Sequence, residues 1–160
     1  MSDPKIVIHT DVFLDHLTGD KQHSVLRKAM GQFFCYTTVY QAIELFSLAK
    51  SEDEVKAIED SMAAMKLMGL NPKNSQLYGD LISSNKKTSV WNILIAGLCL
   101  ESRLPLLTDR KKDFKGIKGL TIVPTRFLHT YKSGAEIINA VRMGSSGSGK
   151  QNNVNQERKL

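Results

Sequence analysis

Apolar residues fall in short runs separated by longer stretches of helical periodicity. Lys5-Ile6-Val7-Ile8 is β-branched and apolar and ends in the polar pair His9-Thr10, which predicts a buried parallel strand whose C-terminal end opens onto a turn. Val12 to Leu17 predicts a short helix broken at Gly19, and Ser24 to Met30 a second one before Gly31. Phe33-Phe34-Cys35-Tyr36 follows as strand two. Thr37 and Thr38 are N-cap residues for a helix through Lys50, and Ser51 with Glu54 has the capping-box spacing for another through Met68, ended by Gly69. Asn71-Pro72 supplies a cap and first-turn proline for a helix to about Asn85, and Ser89 opens an apolar helix ending near Arg103. Leu106-Leu107 and Leu120-Thr121-Ile122-Val123 are the last strand candidates. A short helix from Pro124-Thr125 and another over Ala135 to Met143 close the pattern.

Strands separated by helices, with no hairpin signals, predict an α/β sandwich around a mainly parallel sheet. Residues 1–143 hold this pattern as one domain. Residues 144–160, rich in Gly, Ser, Asn and Gln, predict a disordered polar tail or a linker to a partner-binding peptide. The longest apolar run, Val90 to Leu100, is too short for a membrane span, and the N-terminus lacks a signal-peptide pattern, so a cytoplasmic protein is expected. Cys35 and Cys99 lack metal or redox spacing and read as buried reduced thiols. Of the net charge of +6, the tail carries +2, which leaves +4 on the domain. That surplus suits a nucleic acid or an acidic peptide without deciding between them. No dinucleotide-binding or P-loop glycine motif is present.

Four segments, in order, carry a resemblance: Ile6 to Leu17 with His9-Thr10-Asp11; Thr37 to Leu45 with Glu44; Asn92-Ile93-Leu94-Ile95-Ala96; and Leu104 to Phe114 with Thr108-Asp109-Arg110 and Asp113-Phe114. Together they resemble the PIN-domain family, in the branch of VapC-like toxins of type II toxin-antitoxin systems, over about Ile6 to Leu128. The resemblance implies a PIN-like three-layer α/β/α sandwich with a central, mainly parallel sheet. It also implies a metal-dependent endoribonuclease in which scattered acids hold Mg2+ or Mn2+. A bound hard cation of this kind lowers the pKa of a water that attacks the phosphodiester. Implied partners are RNA, a cognate antitoxin whose C-terminal segment lies across the groove, and a second copy in a homodimer.

Several family acids are replaced. His9 stands at the first aspartate, Asn92 at the third acid and Arg110 at the Asp/Asn after the threonine, while Glu44, Asp11, Asp109 and Asp113 remain. The resemblance makes Glu44, Asp109, Asp113 and Asn92 catalytic candidates, and Asp11, Glu44, Asp109, His9 and Asn92 metal-ligand candidates.

Each has a plainer reading. Glu44, in a largely apolar helix, is expected to be partly buried, at the site or in an ion pair. Asp11 either faces the site or caps the first helix. His9 either ligates a transition metal or is a hydrogen-bonded structural residue, since Mg2+ rarely accepts nitrogen. Asn92 keeps an oxygen without the charge, or merely caps and packs its helix. Asp113 belongs to the site or caps the turn holding Phe114. Arg110, Lys111 and Lys112, with Lys115 and Lys118, either contact RNA phosphates or form a solvated face.

Phe13, Phe46 and Trp91 are expected in the core. Leu48, Val55, Ile58, Met62, Met65 and Leu70 form an apolar stripe for core packing or dimerisation. A haloacid-dehalogenase-like phosphatase would need its nucleophilic aspartate where His9 stands. The stronger alternative to a ribonuclease is a catalytically inactive PIN-fold module that binds RNA or a protein partner.

Overall fold

Side chains alternate along a strand, so Val7 faces one side of a sheet and Ile6 and Ile8 the other, and all three are fully buried. A strand buried on both faces belongs inside a parallel sheet. The computed structural model, which describes residues 3–147, places it at the centre of five strands. The chain runs β1 (Lys5–Ile8), α1 (Thr10–Thr18), α2 (Val25–Gln32), β2 (Phe34–Thr38), α3 (Val39–Leu48) and α4 (Glu52–Met62). Next come β3 (Lys66–Met68), a 3-10 turn at Pro72–Asn74, α5 (Ser75–Ser84) and α6 (Val90–Ser102). β4 (Leu106–Leu107), a 3-10 turn at Lys111–Phe114, β5 (Ile122–Val123), α7 (Phe127–Thr130) and α8 (Gly134–Gly147) follow.

The strand order is β3-β2-β1-β4-β5 and every pairing is parallel. The chain builds outward from β1 through β2 to β3, then crosses back to place β4 on the other side of β1. The point where strand order reverses therefore lies between the C-terminal ends of β1 and β4, the place where open α/β sheets form ligand sites. The expected three-layer α/β/α sandwich with a parallel sheet is the fold observed.

Two apolar layers sandwich the sheet. Ile6, Ile8, Leu107 and Val123 pack with Phe13, Leu26, Ile58, Leu128 and Ile137 on one face, while Val7 and Leu106 pack with Ile93, Ala96, Cys99 and Phe114 on the other. On the second face α5 and α6 approach closely because Gly97 lies under the Tyr78 ring, whose hydroxyl donates to Glu101 Oε2 at 2.8 Å. Both cysteines are buried free thiols, and burial pushes each up to about 12.

Helix starts follow the capping residues. Ser24, Thr38, Ser51 and Ser89 each accept a first-turn backbone N–H, and Thr38 with Gln41 makes a full capping box. At Ser51 only half of the expected box forms, since Glu54 Oε2 accepts from the Lys50 N–H instead.

Four expectations are corrected. α4 stops at Met62, and Lys66–Met68 forms β3, paired with Tyr36, Thr37 and Thr38. Its leucine and methionine favour helix, but the unpaired edge of β2 offers backbone partners that local propensity cannot match. α2 runs through Gly31 to Gln32. Phe46 and Trp91, expected in the core, are exposed, whereas Phe13 is fully buried. Finally, α8 continues to Gly147, so 144–147 are helical, with Ser145 Oγ donating to the Val141 carbonyl at 2.7 Å. The remainder of the expected tail, 148–160, lies outside the described residues.

Of the Leu48-to-Leu70 stripe, Ile58 is buried and Met62 and Met65 pack on the core, while Leu48 and Leu70 are exposed. Among the described residues, no helix is long and apolar enough to cross a membrane.

Candidate functional site

The end of β1 is fixed from below. The Ile8 carbonyl accepts from buried Gln41 Nε2 and from Thr37 Oγ1, which ties it to β2 and to the start of α3. The chain then turns into α1 with His9 as its N-cap, and no side chain caps that end. Asp11 is therefore not the α1 cap.

Its carboxylate instead bridges β1 to β4. Thr108 Oγ1 donates to Asp11 Oδ1 and Oδ2, each at 3.1 Å, and the Asp109 N–H donates to Oδ2 at 3.0 Å. His9 Nδ1 lies 3.1 Å from Oδ1 and 3.2 Å from Thr108 Oγ1. An acceptor-only carboxylate facing Nδ1 requires the proton on that nitrogen. Thr108, fully buried, also accepts the Arg110 N–H at 3.0 Å, so one hydroxyl joins the two strand ends. Burial pushes the Asp11 carboxyl up, but hydrogen bonds from His9, the Asp109 amide and Thr108, with the His9 charge, outweigh it. The group lies below the ordinary carboxylate range. His9 is buried, with its ring edge-on to Phe114 at 5.2 Å, which makes it a hydrogen-bonded packing residue between the strand ends.

The other candidates are engaged elsewhere. Both Asp109 oxygens accept from Thr125, one from its N–H at 2.9 Å and one from its hydroxyl, so this acid caps the turn after β5. Asp113 pairs with Arg110 Nε at 2.6 Å across the 3-10 turn. Glu44, expected to be partly buried, is exposed on α3 and accepts from Thr10 Oγ1 at 2.9 Å. Asn92 is half-buried in the first turn of α6, whose cap is Ser89, not Asn92. Arg110, Lys111 and Lys112 are exposed around an open cleft floored by Phe114 and Ile117.

The tertiary structure thus brings together His9, Asp11, Thr108 and the Asp109 backbone, while the Asp109 and Asp113 carboxylates have separate partners. A divalent cation needs several free oxygen ligands at about 2.0–2.6 Å. Among the described residues, no three His, Cys, Asp or Glu side chains converge on a position that could hold a metal ion. In this arrangement Asp11, Asp109 and Asp113 offer no set of free oxygens preformed for Mg2+ or Mn2+. Thr10, Thr108 and Gln41 hold the site together; Thr10 and Thr108 stand within the motif segments, but the motif pattern assigns no role to any of the three.

No protein-family model matches the sequence, and no curated protein matches it. Solved structures do match. DNA-bound VapBC from Salmonella typhimurium aligns with a TM-score of 0.64 at 15% identity, covering 76% of this chain and 98% of that one. VapBC2 from Rickettsia felis, bound to a DNA fragment from its promoter, aligns at 0.63 and 16%, covering 75% and 98%. VapBC-1 from nontypeable Haemophilus influenzae aligns at 0.63 and 17%, covering 76% and 98%. At such identities the likeness concerns the fold. With the parallel sheet order and the switch point at His9, Asp11 and Thr108, it establishes that this chain has the PIN-domain fold of VapC-like toxins.

Proposed function

We propose that this chain is a PIN-fold module that binds RNA at the C-terminal end of its sheet without metal-dependent cleavage. The supporting observation is that three remaining site carboxylates already have protein partners: Asp11 with His9 and Thr108, Asp109 with Thr125, and Asp113 with Arg110. A metal would have to displace those bonds, and Asn92 contributes no charge to draw it in. The exposed Arg110, Lys111 and Lys112 beside these acids supply sequence-tolerant phosphate contacts.

The direct test incubates the full chain with a labelled oligouridylate in Mg2+ or Mn2+, following binding and cleavage together. Binding that weakens with salt, with intact RNA in either metal, is expected. Cleavage abolished by EDTA would sink the non-catalytic reading.

Metal-dependent endoribonuclease activity is the second reading, and one observation favours it. Glu44 is an exposed carboxylate on α3, whose Tyr40 meets Trp91 of α6, the helix that also carries Asn92, with the two rings 5.6 Å apart. On that reading the double change His9→Asp with Asn92→Asp raises Mn2+-dependent cleavage.

A protein partner belongs to the same proposal. The matched structures are described as VapBC complexes or toxin-antitoxin assemblies, which supports an antitoxin-type partner. An open groove between α1, α3 and α4, lined by Leu14, Leu17, Leu45, Leu48 and Ile58, would receive apolar side chains of that partner or of a second copy. Sedimentation of the parent and of Leu48→Glu tests the homodimer: a dimer that Leu48→Glu dissociates places the second copy in this groove.

A further inference from the structure

Two segments distant in sequence meet beside the start of α6. Gly116 has φ +91° and lies against Asn85, so close that a Cβ there would be 3.7 Å from Asn85 Oδ1. This seats the turn carrying Lys86 and Lys87 beside the loop that carries Arg110, Lys111, Lys112, Lys115 and Lys118. All seven cations are exposed. Within residues 85–91 and 109–118 the only acids are Asp109 and Asp113, so the two segments carry a surplus of five positive charges, against a net of −1 over the rest of residues 1–143. The domain's positive charge is gathered at one place instead of being spread as a solvated face.

Trp91, the single tryptophan of the chain, follows four residues after Lys87, in the first turn of α6. It is 46% exposed. Tyr40 meets it edge-on, at 5.6 Å and 77° between ring planes, which limits the positions the indole can take. Exposing a large, braced aromatic ring gives up burial energy, and a flanking cationic surface is the setting in which such a ring serves as a base-stacking platform.

We infer that Lys86, Lys87 and the 110–118 cations form a two-segment track for the phosphates of a single-stranded polynucleotide, with a base stacked on Trp91. The inference rests on the RNA-binding reading above and adds to it the Lys86-Lys87 turn and the aromatic platform. A single strand suits this surface better than an acidic peptide: beside the exposed Val90 it presents an aromatic ring, which every base can stack on, whereas an acidic peptide needs only charge.

The experiment uses the intrinsic fluorescence of Trp91 in the full chain, titrated with oligouridylate and, separately, with heparin, a polyanion without bases. Oligouridylate should bind and quench the tryptophan, while heparin binds without quenching. Lys86→Gln with Lys87→Gln should weaken RNA binding and reduce the slope of log affinity against log salt by about 0.7 for every phosphate that is no longer neutralised. Trp91→Ala should cost about tenfold in RNA affinity and leave heparin binding unchanged, and Trp91→Phe should restore most of the loss.

If the parent binds no RNA, the RNA-binding reading falls and this inference with it. If the parent binds RNA and loses it on substitution of Arg110, Lys111 and Lys112 by Gln, but Lys86, Lys87 and Trp91 can be changed without effect, only the two-segment track is overturned. Binding of polyglutamate as tight as that of oligouridylate also overturns it.

Discussion

Thr108 Oγ1 donates to both carboxylate oxygens of Asp11 at 3.1 Å, joining the end of β4 to the start of α1 across 97 residues of sequence. In a site built for a divalent ion the acid at this junction would keep its oxygens for the metal. Here a hydroxyl, an imidazole and a backbone amide take them.

Removing that hydroxyl should therefore cost stability. Thr108→Val keeps the shape but leaves a part-buried carboxylate short of one donor, a loss of about 1–3 kcal/mol. Urea unfolding of Thr108→Val, Asp11→Asn and the double variant measures it, with a non-additive coupling between the two positions expected. Additive effects would show that the two groups do not depend on each other.

Acid should weaken the same junction. The Asp11 carboxyl is held below its ordinary value in the folded chain. The stability it contributes is fully present above the unfolded value of about 3.9 and is lost as pH falls through the lower native value. Melting temperature followed from neutral pH downward should drop in that range for the parent, and less steeply for Asp11→Asn. Parallel curves would mean that another acid governs the transition.

Glu44→Gln separates the two functional readings. As an exposed anion one helical turn from Tyr40, Glu44 repels a nucleic-acid backbone, so its neutralisation should tighten RNA binding by up to about fivefold, corresponding to roughly 1 kcal/mol for a close charge pair in water. A metal-dependent nuclease would instead lose cleavage on this change.

Gly97→Ala should be strongly destabilising, because the added methyl would enter the Tyr78 ring and the ring is pinned by Glu101. Overpacking of this kind costs about 1–3 kcal/mol. Thermal melts should show the drop, and combining Gly97→Ala with Tyr78→Ala should yield a variant less impaired than the sum of the two, since the collision is removed.

Much of the architecture could be read from residue patterns, because those signals are local. β-branched runs at Ile6 and Val123, and caps at Ser24, Thr38, Ser51 and Ser89, act within a few residues of themselves. β3 escaped because its partner is an edge 30 residues away, and nothing in Lys66-Leu67-Met68 speaks for a strand. The exposure of Trp91 escaped because an apolar helix start reads the same whether it faces the core or solvent.

At the site, the residue types were visible and their allegiances were not. Substitutions at His9, Asn92 and Arg110 stand in the chain itself, and they already placed metal binding in question. That Asp11 binds Thr108, that Asp109 turns to Thr125, and that the Lys86-Lys87 turn lies beside the 110–118 loop were decided only by the closing of the sheet. A carboxylate's partner is set by which donors the fold brings within about 3 Å, and hydrogen bonds at that range are indifferent to separation along the chain.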